Sequence, residues 1–233
     1  MNRPPAIRFA NFASCAAGGR RAVVVLLAAL LLPGCQSAYY RTMEAMGRPK
    51  RELLLRHVAS ARDSQAAARD RFADTLARLR AVTDGEQREL EAAYRRLGRD
   101  LARNETAARR VWDDIVALDE VAAALFEEWE RELEAYHGDE LRRQSADALD
   151  RTRRRYQQLI TALRRGALGM EPLLDSFRDH QLFLRHNLNA RAAASLRPAI
   201  ANLGGEVDTL TRRMDAAIAE ADRFLARREP WLP

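Results

Sequence analysis

The stretch Leu90–Trp129, LEAAYRRLGRDLARNETAARRVWDDIVALDEVAAALFEEW, decides the fold. Within it Leu90, Tyr94, Leu97, Leu101, Asn104, Ala108, Val111, Ile115, Leu118, Ala122, Leu125 and Trp129 recur at spacings of four and three in alternation. That period keeps one stripe of a helix facing a partner over more than five heptads, the pattern of a coiled coil and not of a short globular helix. A helix from Glu86 to Tyr136 extends ~75 Å at 1.5 Å per residue. Asn104 is the polar member of the seam; such a residue either sets register, the better-attested use, or marks a widening where water enters.

The same spacing appears on either side. Leu54, Val58, Ala61, Ala68, Phe72, Leu76 and Leu79 predict a first helix running to about Val82. Thr83-Asp84-Gly85-Glu86 offers Gly85 as a stop and Thr83 with Glu86 as a capping box. His137-Gly138-Asp139 breaks the chain again, with Gly138 expected at positive φ and Asp139 as the next cap. A third helix carries Leu149, Thr152, Tyr156, Leu159, Leu163, Gly166, Met170, Leu173 and Phe177; its phase survives Pro172, so Gly169–Pro172 reads as a kink. Asn187-Leu188-Asn189 is the next turn. A final helix carries Leu196, Ile200, Leu203, Val207, Leu210, Met214, Ala217 and Phe224, starting either at Asn189 or near Pro198. The fold class that follows is all-α, an elongated antiparallel coiled-coil or helical bundle of three or four long helices.

Charge predicts the topology. Residues 113–134 hold nine acids and Arg131, while residues 142–165 hold eight arginines against Asp147 and Asp150. Folding back at Gly138 lays one block beside the other, which orients the hairpin more than it stabilises it. The run Arg153-Arg154-Arg155 is therefore expected to find its partners within the chain, not on nucleic acid.

Upstream, Arg20-Arg21 precedes eleven apolar residues, Ala22–Leu32, and Leu32-Pro33-Gly34-Cys35 closes the run. Eleven residues are too few to span a bilayer, which takes ~20, and the order is that of an export signal. The closing four resemble a bacterial lipobox, which implies cleavage before Cys35 and acylation of that cysteine; two or more chains anchor a protein stably. Gln36 follows where an inner-membrane retention signal would place Asp, so the expected location is the outer membrane, periplasmic face, lipid-anchored. The domains are then a cleaved signal peptide (1–34), a lipidated stalk (35–47) with Tyr39-Tyr40, a helical bundle (48–228) and a tail (229–233). Removing residues 1–34 takes four of the 39 basic residues and no acid, leaving 35 against 33. The basic balance that suggests nucleic acid departs with the signal. The remainder holds 35 Ala against 8 Gly and 5 Pro, a helical composition.

Chemistry is sparse in this sequence. Lys50 is the sole lysine, so no phosphate-binding glycine–lysine loop exists, and Cys35 is the one cysteine left after cleavage. Glu134-Ala-Tyr-His137 gives half of a di-iron Glu-x-x-His pair without its second copy. His180 and His186 fall on different helix faces, so neither metal nor cofactor is expected. Trp112 and Trp129 read as core or partner contacts. His180, His186, Asn187, Asn189 and Arg191 are the residues singled out as a partner or ligand surface. The expected role is a non-catalytic envelope scaffold or adaptor, with an envelope protein or a second copy as partner, the latter through the long seams. The alternatives are a binding protein or enzyme with a site near residues 166–189, and a nucleic-acid-associated coiled-coil protein.

Cys35-Gln36-Ser37-Ala38-Tyr39-Tyr40, Ala124-Leu125-Phe126-Glu127-Glu128-Trp129-Glu130, Met170-Glu171-Pro172 and the segment Phe183–Ala192 resemble an uncharacterised family of bacterial lipoproteins, classified as a domain of unknown function. The resemblance extends over nearly all of residues 35–225, with His186–Arg191 its most distinctive part. It implies residence in the envelope and brings no active site. Members sometimes carry a label as DNA-repair ATPases, which no ATP-binding motif in this chain supports.

Overall fold

Six helices follow one another without a strand among the described residues. The computed structural model describes residues 50–84, 90–187 and 189–226, all within the unit Lys50–Pro233. Cys35, the stalk, Gly85-Glu86 and the tail from Glu229 lie outside the described residues. The helices are α1 (Lys50–Asp84), α2 (Leu90–Glu134), α3 (Asp139–Ala167), α4 (Met170–His186), α5 (Ala190–Ser195) and α6 (Arg197–Ala226).

The long helices close into a four-sided bundle. α1 packs on α2, α2 on α3 and α4, α3 on α6, and α6 back on α1. Cross-helix pairs give the direction of each side. Along α1 and α2, Lys50 meets Glu128 at 3.0 Å, Ser60 donates to Asp114 at 3.0 Å and Arg78 meets Asp100 at 3.0 Å, one number rising as the other falls. Arg62–Asp222 (3.1 Å) and Arg69–Asp215 (2.6 Å) show the same for α1 and α6. Glu130–Arg153 (2.7 Å), Asp119–Arg164 and Glu105–Arg178 (2.9 Å) do so for α2 against α3 and then α4. Every adjacent pair is antiparallel, as short connections require.

The seams are the core. Every seam residue of α2 is buried except half-buried Tyr94, and those of α1, of α3–α4 and, apart from half-buried Leu196, of α6 are buried too. Phe72 of α1 stacks on Phe177 of α4 across the bundle, ring centroids 6.0 Å apart. The apolar faces of the seams are thereby covered within one chain. Asn104 sits wholly buried and donates through Nδ2 to the Thr75 hydroxyl, a polar cross-link between α1 and α2 that fits a register-setting residue.

Two local expectations are corrected. Gly138 is the N-cap of α3 in extended backbone (φ −96°), and Asp139 lies inside the first turn, where its carboxylate accepts from Arg142 at 2.9 Å. The turn does not require the left-handed region. The Thr83 hydroxyl donates to the Arg80 carbonyl at 2.7 Å, while Glu86, its expected capping-box partner, lies outside the described residues. Of Arg153-Arg154-Arg155, Arg153 alone reaches an acid among the described residues, Glu130, and lies over the Phe126 ring at 5.3 Å. Successive helical residues point ~100° apart, so one of the three can face α2.

At Gly169–Pro172 the helix stops at Ala167 and restarts at Met170, with Leu168 and Gly169 still in the right-handed helical region. Pro172 has no N–H for the Leu168 carbonyl, so the ladder breaks while the direction is kept. The ion pairs to Arg164 and Arg178 lie on either side of the break at the same heptad position, so the register with α2 carries through. Both proposed starts of the last helix are occupied. Asn189 caps the short α5, its Oδ1 accepting from Ala192 N at 2.9 Å, and α6 begins at Arg197 with Pro198 in its first turn.

Candidate functional site

The corner between α4 and α6 gathers four of the residues singled out by sequence. His186 closes α4, Asn187 caps it, Asn189 caps α5 and Arg191 lies in the first turn of α5; all four are exposed. The two asparagine side chains are committed to backbone. Asn187 Nδ2 donates to the Phe183 carbonyl at 3.1 Å, and Asn189 Oδ1 holds the α5 N-terminus. His180 lies six residues earlier, half-buried, with Nδ1 against the Ser176 carbonyl, and does not join the corner. The corner therefore offers the His186 imidazole and the Arg191 guanidinium to solvent on a frame held by two asparagine caps. Among the described residues no group of three or more His, Cys, Asp or Glu is placed to hold a metal ion. His137 is exposed, its Nδ1 at 3.0 Å from the Ala135 carbonyl, a helix-end contact.

Gly166 is packed tightly. It is buried, and a side chain there would begin 2.8 Å from Gln65 Oε1 and 3.3 Å from the Ala217 methyl. Gln65 is wholly buried, and its Nε2 donates to the Leu163 carbonyl at 2.8 Å, so its amide fills the space the glycine leaves.

An open groove of about 600 Å³ lies instead between α1 and α2. Asp63 and Arg71 from α1 and Arg103 and Arg110 from α2 rim it over a floor that includes Ala67 and Thr106. Arg103 touches Asp100 at 3.4 Å and Arg110 touches Asp114 at 3.9 Å, both long for a charge-assisted bond, so these guanidinium groups keep free donors. Small residues on two facing stripes create the groove. Its signal in the sequence is the pairing of Ala67 with Ala102 and Ala107, visible only once α1 and α2 are set in register.

His57 and Tyr156 are the titratable groups that burial shifts most. His57 on α1 has its pKa pushed below the ordinary 6.5, chiefly by burial, against a smaller upward pull from Asp114. Tyr156 on α3 donates to Asp119, whose carboxylate also takes Arg164. Burial first and the Asp119 bond second raise the phenol well above its usual range. Tyr156 serves a helix contact: its ring meets Phe126 edge-on at 5.6 Å, and the Asp119 bridge joins α2 to α3. Trp129 is core, its indole N–H donating to the Ser145 hydroxyl at 2.8 Å, with the Arg51 guanidinium 4.8 Å over the ring. Trp112, read from sequence in the same terms, is 37% exposed and stands on the outer side of α2.

Among the described residues no helix is long and apolar enough to cross a membrane. No curated protein sequence and no solved structure matches the chain. The family described as "Protein of unknown function (DUF2959)" matches residues 39–227, the whole bundle and the residues just before it, and the chain belongs to that family.

Proposed function

We propose that this chain is a non-catalytic scaffold or adaptor of the bacterial envelope, held to the periplasmic face of the outer membrane by acyl chains on Cys35. The observation that carries the reading is the unbroken register of the bundle. Ion pairs and hydrogen bonds between adjacent helices keep step from Lys50–Glu128 to Arg78–Asp100, and from Glu130–Arg153 through the Pro172 break to Glu105–Arg178. α2 alone, with 45 residues, is ~68 Å long. A rod of this kind holds a bound partner at a fixed distance and angle, work that needs stiffness and an anchor but no reacting group. The lipobox-like Leu32-Pro33-Gly34-Cys35 ends fifteen residues before Lys50 and supplies the anchor.

The test has two parts. Mass spectrometry of the protein recovered from outer-membrane fractions is expected to find an N-terminal acylated Cys35, with the Cys35→Ala chain absent from those fractions. Crosslinking in intact cells is expected to capture one envelope protein reproducibly from the wild-type chain and not from Cys35→Ala. A chain intact from Met1 and free of fatty acid defeats the anchor, and repeated recovery of no partner defeats the adaptor.

A second reading, a binding protein, rests on the groove between α1 and α2, where Arg71, Arg103 and Arg110 surround a floor of small residues. Its ligand would be anionic. Thermal stabilisation by a polyanion such as polyphosphate, lost in Arg103→Ala/Arg110→Ala, would favour it over the adaptor.

A further inference from the structure

The outer face of α2 carries a second heptad stripe that the bundle does not use. Positions 95, 99, 102, 106, 109, 113, 116, 120, 123, 127, 130 and 134 alternate in steps of four and three, and every one is exposed. The stripe lies ~150° around the helix from the buried seam. Its charge is divided at the middle. Arg95, Arg99 and Arg109 occupy the first half, and Asp113, Glu120, Glu127, Glu130 and Glu134 the second. Arg99, Glu120, Glu127 and Glu134 have no side-chain hydrogen bond or ion pair among the described residues, whereas Glu130 already bridges to Arg153. Between the charges lie Ala102, Thr106 and Ala123, small enough for two helices to approach closely. At the centre Val116 is 55% exposed and Trp112, beside the stripe, 37% exposed.

We infer that this face is a homodimer interface, with α2 of a second copy lying antiparallel along it about a twofold axis near residues 114–115. One register gives every arginine of the stripe an acid and leaves Glu127 opposite Ala102. It sets Arg95 against Glu134 of the other copy, Arg99 against Glu130, Arg109 against Glu120 and Thr106 against Ala123, and the twofold repeats each pairing. Asp113 and Val116 face each other's counterparts at the axis, with Asp113 one turn from Arg109 of its own helix. Two exposed Val116 side chains and the flanking Trp112 rings leave water together. A parallel arrangement sets arginine against arginine and acid against acid, so the charge division selects direction as well as partner. A two-fold, self-complementary contact closes on itself and stops at two copies. Forty residues of helix present ~60 Å by ~10 Å, or ~1,200 Å² over both partners, the low end of stable interfaces. The inference rests on α2 alone and does not require an acylated Cys35.

Two differently tagged copies of the full chain, produced together and extracted in mild detergent at low salt, provide the test. Wild-type copies are expected to co-purify. Arg109→Glu in both copies, or Glu120→Arg in both, is expected to cut recovery about tenfold by placing like charges opposite one another. Arg109→Glu in one copy with Glu120→Arg in the other restores complementary pairs and is expected to restore recovery. Both sites are exposed, so circular dichroism should match wild type and separate loss of pairing from loss of fold. A cysteine at position 106 in one copy and at 123 in the other (Thr106→Cys with Ala123→Cys) is expected to crosslink in membranes, above a chain without introduced cysteines. Any of three results overturns the inference: wild-type copies that do not co-purify, charge variants that pair as well as wild type or are not rescued by the swap, or crosslinking of Thr106→Cys to itself, which marks a parallel contact.

Discussion

Replacing Gly166 and Gly205 by alanine applies one chemical change to two helices and should give opposite signs. In a helix interior Gly→Ala stabilises by ~1 kcal/mol, because glycine loses more backbone freedom on folding. Gly205 is exposed in α6 with nothing within 4 Å of an added methyl, so Gly205→Ala should gain close to that full amount. At Gly166 the methyl begins 2.8 Å from Gln65 Oε1 and 3.3 Å from the Ala217 methyl. An amide end is ordinarily free to swing away. This one is wholly buried and bonded through Nε2 to the Leu163 carbonyl at 2.8 Å, so it moves only by breaking that bond or by pushing α6 outward. Overpacking costs ~1–3 kcal/mol and a lost buried amide bond ~1–3 kcal/mol. Either route costs ~1–3 kcal/mol, so against a propensity gain of ~1 kcal/mol the net is a loss of up to ~2 kcal/mol. Shortening Gln65 removes the obstacle, so in a Gln65→Ala background Gly166→Ala should turn stabilising by ~1 kcal/mol, a coupling of ~1–3 kcal/mol. Urea unfolding followed by helical circular dichroism, at one protein concentration, measures all five proteins. If Gly166→Ala stabilises the otherwise wild-type chain as Gly205→Ala does, the packing argument fails.

Asn104→Ala should cost ~2–3 kcal/mol in the same assay, through the lost bond to Thr75 and the cavity left at a wholly buried position. Tyr156→Phe should cost ~1 kcal/mol, since the Asp119 carboxylate keeps Arg164 when the phenol goes; ultraviolet titration should show one tyrosine of the wild type ionising at higher pH than the rest, and its absence in the variant. His57 gives a pH dependence. Because the folded pKa is depressed below 6.5, the unfolded chain binds the proton first, so stability should fall as pH drops below about 6.5 and stop falling below the folded pKa. His57→Asn should remove that slope, and an unchanged slope would assign it to the carboxylates instead.

The sequence carried the fold where the chain repeats itself. Alternating spacings of three and four located the helical stretches and most of the core, since an apolar seam has one low-energy place to go, but not the buried residues beside the seams such as Phe126, Ile160, Leu174 and Leu184. It failed where a polar residue does an apolar residue's packing. Gln65 falls on the α1 seam between Ala61 and Ala68, and nothing local shows that its amide spans to α3 and fills the space left by Gly166. From sequence alone Gly166 marks a loosening; from the packing it marks a close fit. The α4–α5 corner was legible as a turn because Asn at both ends is turn chemistry, yet the same chemistry spends those side chains on backbone caps. The α1–α2 groove was not legible, because its floor joins residues whose register is set by the Asn104–Thr75 contact and not by either helix alone.

A bundle that buries all its heptad seams has no apolar core face left to share, so contact with any other molecule falls to the outward positions. Charge there is free to be arranged for recognition, because an exposed ion pair adds only ~0–1 kcal/mol to folding. The charge division of α2 fits that freedom. Its seam would fold as well with arginine and glutamate scattered evenly, and alternating signs along the helix would give more stabilising i,i+4 pairs than two opposed blocks. Within the chain, two of the eight arginines of residues 142–165, Arg153 and Arg164, reach the acidic half of α2. The topology accounts for those two pairs, α1 takes Asp114 and Glu128 through Ser60 and Lys50, and Asp113, Glu120, Glu127, Glu132 and Glu134 are left facing solvent. An arrangement that internal stability does not favour is expected where a second surface has to match it.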